Sequence, residues 1–247
     1  GLAESTLTGT GQEGAYRIRT DDTRIQNFVL STPGKKPFSE KQVTTAFDVV
    51  VNPDTMTRDI EMFVLDSALI KIDFGRLKQT VQNDRIQVQG TVQGECDWAA
   101  VGQLASPFLP EGLEMSGRRE VTLNFASNYP ADDPNGLMAN LDGSAKVGFD
   151  SASYKGLNIG STDVQVNVEK GLMKIEPFST TANNGQLSFA GQADFKEKDP
   201  MLRTAAPLVL AKGIELNKEM TGTLLQYVNP LFANVTGISG IANFECQ

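Results

Sequence analysis

Alternation of apolar and polar residues, repeated in segment after segment, limits this chain more than any other feature. Ile86, Val88 and Val92 alternate with Gln87, Gln89, Thr91 and Gln93, and Val121, Leu123 and Phe125 alternate with Thr122 and Asn124. Ile70, Ile72 and Phe74 alternate with Lys71 and Asp73, and Phe47, Val49 and Val51 share one face. Ile60, Met62 and Val64 alternate with Glu61, while Phe63 and Leu65 make that run apolar on both faces. Further on, Ala145, Val147 and Phe149 share a face, as do Leu187 and Phe189. Val164, Val166 and Val168 stand against Gln165, Asn167 and Glu169. A period of two means strands with one face turned from water. The other face, rich in glutamine, threonine and asparagine, suits an exposed sheet surface.

Turn signals punctuate these runs. Asn52-Pro53-Asp54, Glu169-Lys170-Gly171 and Asn183-Asn184-Gly185 each sit between alternating segments. The acidic pair Asp21-Asp22 is expected to separate two short strands. Residues 127–136, rich in proline, aspartate and asparagine, form the best boundary. Two stretches break the strand pattern. Asp97 stands where a helix N-cap would, with Trp98, Val101, Leu104, Ala105 and Phe108 on one helical face before Pro107 and Pro110. Asn217 opens a similar run that stops at Pro230.

Placing Pro107 on Pro230, an offset of 123 (230 − 107), also places Ser116-Gly117 on Ser239-Gly240. The expectation is therefore a mainly β fold. Long antiparallel strands form a curved or groove-like sheet with two short helices and a two-fold internal repeat. The first repeat spans 1–130 with a helix over about 97–106, and the second spans 131–247 with a helix over about 217–229. The two are expected to form one continuous structure, excerpted from a longer chain.

Composition then removes whole classes of function. The 247 residues contain no histidine, which excludes Ser-His-Asp chemistry and histidine-ligated metals. A net charge of −8 argues against nucleic acid; the tight basic pairs, Lys35-Lys36 and Arg118-Arg119, read as solvated turns. Cys96 and Cys246 have no CxxC spacing and read either as two thiols or as one disulfide. Asp132-Asp133-Pro134-Asn135-Gly136 lacks the calcium-loop spacing and reads as a turn. No GxSxG elbow, SxxK, phosphate loop or dinucleotide fingerprint is present. The expectation is no enzyme, no cofactor and no metal.

Residues 154–195, with looser support from 214–245, resemble the AsmA-like family of bacterial envelope proteins, which are repeating β-groove proteins. The resemblance rests on Gly156, Gly160, Gly171, Ile175, Pro177, Gly185, Leu187 and Gly191. It implies an elongated β-groove in the periplasm or cell envelope of a Gram-negative-type bacterium. It also implies a non-catalytic role in binding or channelling lipid, serving outer-membrane lipid homeostasis. Phospholipid and other envelope proteins are the partners it suggests, with the full-length protein anchored in a membrane. Groove-lining candidates are Ile70, Ile72, Phe74, Ile86, Val88, Val164, Val166, Val168, Leu187 and Phe189; the alternative is that these side chains meet one another, or the helices, in an ordinary closed core. The competing expectation is a structural or protein-interaction β module of a large envelope or surface protein, without a ligand.

Overall fold

The computed structural model describes residues 2–12, 14–30, 38–105, 111–133, 135–204, 208–228 and 237–246. The chain is mainly β, 71% strand and 8% helical, arranged as one large antiparallel sheet that curves without closing. Its first half contains β1 (Leu2–Ser5), β2 (Thr8–Gln12), β3 (Ala15–Leu30), β4 (Phe38–Asn52), β5 (Thr57–Asp66), β6 (Ile70–Gln82) and β7 (Arg85–Asp97). Helix α1 (Trp98–Ala105) follows, then β8 (Leu113–Ser116), β9 (Arg118–Pro130) and the single turn α2 (Gly136–Ala139). The second half contains β10 (Leu141–Phe149), β11 (Ser151–Tyr154), β12 (Leu157–Ile159), β13 (Thr162–Glu169), β14 (Leu172–Ala182) and β15 (Gly185–Asp194). It ends with β16 (Leu208–Leu216), α3 (Lys218–Gly222), α4 (Leu225–Val228) and β17 (Gly240–Cys246).

The topology is a meander. Short β1 and β2 both pair with β3, and each later strand pairs with its neighbour along the chain, from β3 through β7 to β9. The order continues β9–β10–β13–β14–β15–β16–β17, while β8 pairs with β11 beside the β9–β10 ladder. No break falls at residues 127–136, because β9 and β10 pair over seven residues across it. Tight turns make this possible. Asn83-Asp84, Lys155-Gly156, Lys170-Gly171 and Asn183-Asn184 all have both central residues at positive φ, between 39° and 83°. Their twist matches that of the flanking strands, so two residues suffice to reverse the chain.

Several expectations are corrected. Asp21-Asp22 does not separate two strands; β3 runs through it, absorbing the extra residue as a bulge between Thr20 and Thr23. The helix expected over 217–229 is broken into α3 and α4, and α2 is a further helical turn that the alternation did not signal. The single offset of 123 holds at the return glycines, Gly117 and Gly240, both at positive φ. It fails at the caps. Asp97 accepts the Ala100 N–H at 3.1 Å and Asn217 accepts the Met220 N–H at 3.0 Å, an offset of 120 (217 − 97). The second excursion from the sheet is thus three residues longer than the first. Pro107, Phe108, Pro110, Pro230 and the pair Lys35-Lys36 lie outside the described residues, while Arg118-Arg119 is no solvated turn but opens β9, paired with Asp97 and Cys96.

The dry core is small and sits at one end. Met220 and Leu225 press onto Ala182, Ala211 and Ile214, with Leu157, Leu187, Leu216 and Phe244 around them. Among the described residues, the rest of the sheet has no second buried cluster of this kind. The accessible surface is 15506 Å², against roughly 10,700 Å² for a compact monomer of this mass.

Candidate apolar binding face

Residues directly opposite one another in neighbouring strands point to the same side of a sheet. The registers therefore assign every side chain to a face. One cross-strand row reads Phe47–Phe63–Gly75–Val92–Leu123–Ala145–Val166–Ile175–Gly191, crossing from β4 to β15 without a polar side chain. Beside it, toward the α2 end, runs Ile18–Val49–Ile60–Leu77–Gly90–Phe125–Gly143–Val168–Met173–Ala193. On the other side runs Leu65–Ile72–Gly94–Val121–Val147–Val164. Three parallel apolar rows cross most of the sheet.

The opposite face is polar to a matching degree. There Arg76–Thr91–Asn124–Ser144–Asn167–Lys174–Gln192 form one uninterrupted row. This face holds a shallow depression of about 730 Å³ among Asp59, Arg76, Lys78, Gln89, Asn124 and Asp142, and an adjoining one of about 470 Å³. It also carries an ion-pair group. Arg17 donates from Nε and Nη2 to Asp48 at 2.8 and 2.5 Å, and from Nη2 to Glu61 at 2.7 Å. The Arg17 hydrogen bond holds the Asp48 carboxyl below its ordinary value of 3.8.

The sequence-derived lining residues divide sharply. Ile72, Val164, Val166 and Val168 lie within the three rows. Ile86 and Val88 flank them toward α2, and Ile70 continues them toward α1, paired with Cys96. Leu187 and Phe189 follow Gly191 and Ala193 down the same side of β15. Phe74 is a correction. Ile72 opposes Gly94, but Phe74 opposes Gln93, because Asp73 is an extra residue bulged from β6. The bulge turns Phe74 to the polar face, where the Arg76 guanidinium stacks 5.1 Å from its ring. A second bulge, at Glu61, leaves Ile60, Phe63 and Leu65 on the apolar face and sends Met62 and Val64 to the other.

Glycines shape the apolar rows. Phe125 lies between Gly90 and Gly143 in its row, and a Cβ at Gly90 would stand 2.5 Å from the Phe125 Cε1. The ring spreads over space that side chains would otherwise fill, which fixes one large group in place at low cost. Gly94 faces the Asp73 bulge, and a Cβ there would run into the backbone at Lys71 and Ile72. Helices close the margins. Ser127 Oγ–H donates to Leu137 O of α2 at 2.9 Å, and Tyr129 packs against Gly136. At the other end α1 is tied down by Trp98, whose Nε1–H donates to Gly148 O at 2.5 Å, and α3–α4 cover the core already described. Between the margins the apolar side chains are shielded mainly by one another, and Leu123 and Ile18 keep 38% and 44% exposure.

Sequence reasoning did not single out Phe47, Phe63, Leu77, Val92, Leu123, Phe125 or Ile175 as lining residues. Alternation marks the inward side of each strand but does not say which strands align, and the rows exist only through register. Cys96 is a free, buried thiol, raised above its ordinary value by burial and then by the charge of Asp97. The side chain of Cys246 lies outside the described residues. Within 132–136, Pro134 lies outside the described residues, and Asp133 Oδ1 accepts the Asn135 N–H at 3.0 Å. Among the described residues, no helix is long and apolar enough to cross a membrane. Comparison with family models, curated proteins and solved structures found no match.

Proposed function

We propose that this chain is a non-catalytic envelope segment that holds the acyl chains of lipids across its apolar face. The observation carrying this reading is the nine-residue row from Phe47 to Gly191, which crosses adjacent strands without a polar interruption. Its eight inter-strand steps, at about 4.8 Å each, give a track of about 38 Å. One leaflet's hydrocarbon is about 15 Å thick, half of a ~30 Å bilayer core, so the track takes two chains end to end.

Burying a methylene fully is worth about 0.8 kcal/mol, and a chain lying on an open face is covered on one side. Half of that value over about fourteen methylenes gives roughly 5–6 kcal/mol, or a dissociation constant near 0.1 mM. A chain held that weakly exchanges readily, as movement along a track requires. The resemblance to AsmA-like proteins supports the envelope setting, and anchoring of a longer polypeptide in a membrane belongs to the same proposal.

A second reading is supported by the excess accessible surface. The apolar face would then be covered by another protein surface, making the chain a structural module. The two separate in one experiment. Native mass spectrometry of protein purified without detergent should show bound phospholipid, lost when Phe63 and Val166 are changed to glutamate. A lipid-free protein that forms stable dimers through the same face would overturn the lipid reading in favour of the second.

A further inference from the structure

The apolar face carries a guanidinium at its margin. Arg119 opposes Cys96 and precedes Val121 by two residues, so it stands on the same face, one position beyond the Leu65–Val164 row toward α1. Its Nη2 donates to Ser161 Oγ at 2.5 Å and reaches Asp150 Oδ1 at 2.5 Å. Its Nε is buried and has no acceptor among the described residues. An unpaired buried donor is costly and uncommon in native proteins, and a charged one more so. The side chain as a whole keeps 36% exposure, and Asp150 keeps 54%, so the pair stands at an open margin rather than inside a core.

We infer that Arg119 anchors the oxyanion of an acyl ligand, a phosphate or a carboxylate, with Asp150 as the internal counter-ion that the ligand displaces. This rests on the acyl-binding reading of the apolar face. The hydrocarbon lies on the rows through Val121 and Leu123, and the anion meets the guanidinium beside those rows, where β9 begins. A planar guanidinium presents paired donors that suit an oxyanion in two-point contact; both present partners sit on Nη2, and displacing Asp150 frees that donor beside the unpaired Nε. Asp150 holds the group oriented while the site is empty and keeps it from attracting anions that bring no hydrocarbon.

The geometry gives the two residues opposite effects. Arg119→Gln should weaken binding of dioctanoyl phosphatidic acid about tenfold, the loss expected for a charge-assisted contact. Asp150→Asn should strengthen it, because the competing carboxylate is gone. Neither change should alter binding of dioctanoylglycerol, which has the same chains and no charge. Titration of the full chain and both variants with phosphatidic acid, decanoate and dioctanoylglycerol tests this. Weakening of phosphatidic acid alone identifies a phosphate anchor, and weakening of decanoate as well identifies a general oxyanion anchor. Unchanged ratios of acid to diacylglycerol in both variants overturn the anchor and leave acyl binding standing. Equal loss of all three ligands in Arg119→Gln makes the residue structural and also overturns it. If the unaltered protein binds none of the three, the acyl-binding reading itself fails.

Discussion

Ile72 and Phe74, two residues apart in one strand, point to opposite faces of the sheet. Asp73 bulges between them, so Ile72 joins the apolar rows and Phe74 stacks with Arg76 on the polar side. The pair makes a sharp control for acyl binding. Ile72→Glu should abolish retention of a fluorescent fatty acid, whereas Phe74→Glu should leave it within about twofold, since surface substitutions rarely exceed 0.5 kcal/mol. Equal loss from both would place the hydrocarbon elsewhere.

Gly94 is the partner that lets the bulge form. Its would-be Cβ meets Lys71 O and the Ile72 backbone, neither of which can move like a side-chain tip. Gly94→Ala should therefore destabilise the sheet by about 1–3 kcal/mol, read as a lower urea midpoint. Gly102→Ala, where a Cβ meets nothing within 4 Å, is the matched control and should not lower the midpoint. An unchanged midpoint in Gly94→Ala would mean that the close approach does not exist.

How much of this was legible beforehand follows from such residues. Strand character, the apolar side of each run and most turn positions could be read, because period two and the Lys-Gly and Asn-Asn turn pairs are local properties of the chain. The bulges at Asp73 and Glu61 could not. A bulge is set by two strands together, and neither residue differs in type from an ordinary polar position of an alternating strand. The same holds for Phe125, whose place between Gly90 and Gly143 depends on strands far apart in sequence. Asp21-Asp22 misled for the opposite reason. Acidic pairs favour turns, but here pairing with β4 on both sides of the bulge overrides that preference.

Asp48 should make the fold acid-sensitive in a defined window. Its folded pKa lies below 3.8 because Arg17 hydrogen-bonds the carboxylate. The carboxylate therefore contributes stability that is fully present above about pH 4 and is lost as pH falls through the folded value. The urea midpoint should drop as pH falls below about 4. Asp48→Asn should lower the midpoint at pH 7 and make this drop shallower, and an identical pH profile in the variant would count against the Arg17–Asp48 pairing.

Cys96 should be a poor nucleophile. Burial and the neighbouring Asp97 charge raise its pKa above 9.0, so thiolate is scarce at pH 8. In a Cys246→Ser background, Ellman's reagent should label the native protein more than about tenfold slower than the urea-unfolded chain. Equal rates would show that the α1 end of the sheet opens freely.

The most direct test of the account uses adjacent residues on opposite faces. Val166 lies in the central apolar row and Gln165 beside it faces the polar side. A photo-crosslinking amino acid placed at each position in turn, in protein expressed in a bacterial envelope, should capture phospholipid from Val166 and not from Gln165. Capture of lipid at both positions alike, or of protein alone at Val166, would contradict the claim that the apolar rows hold acyl chains.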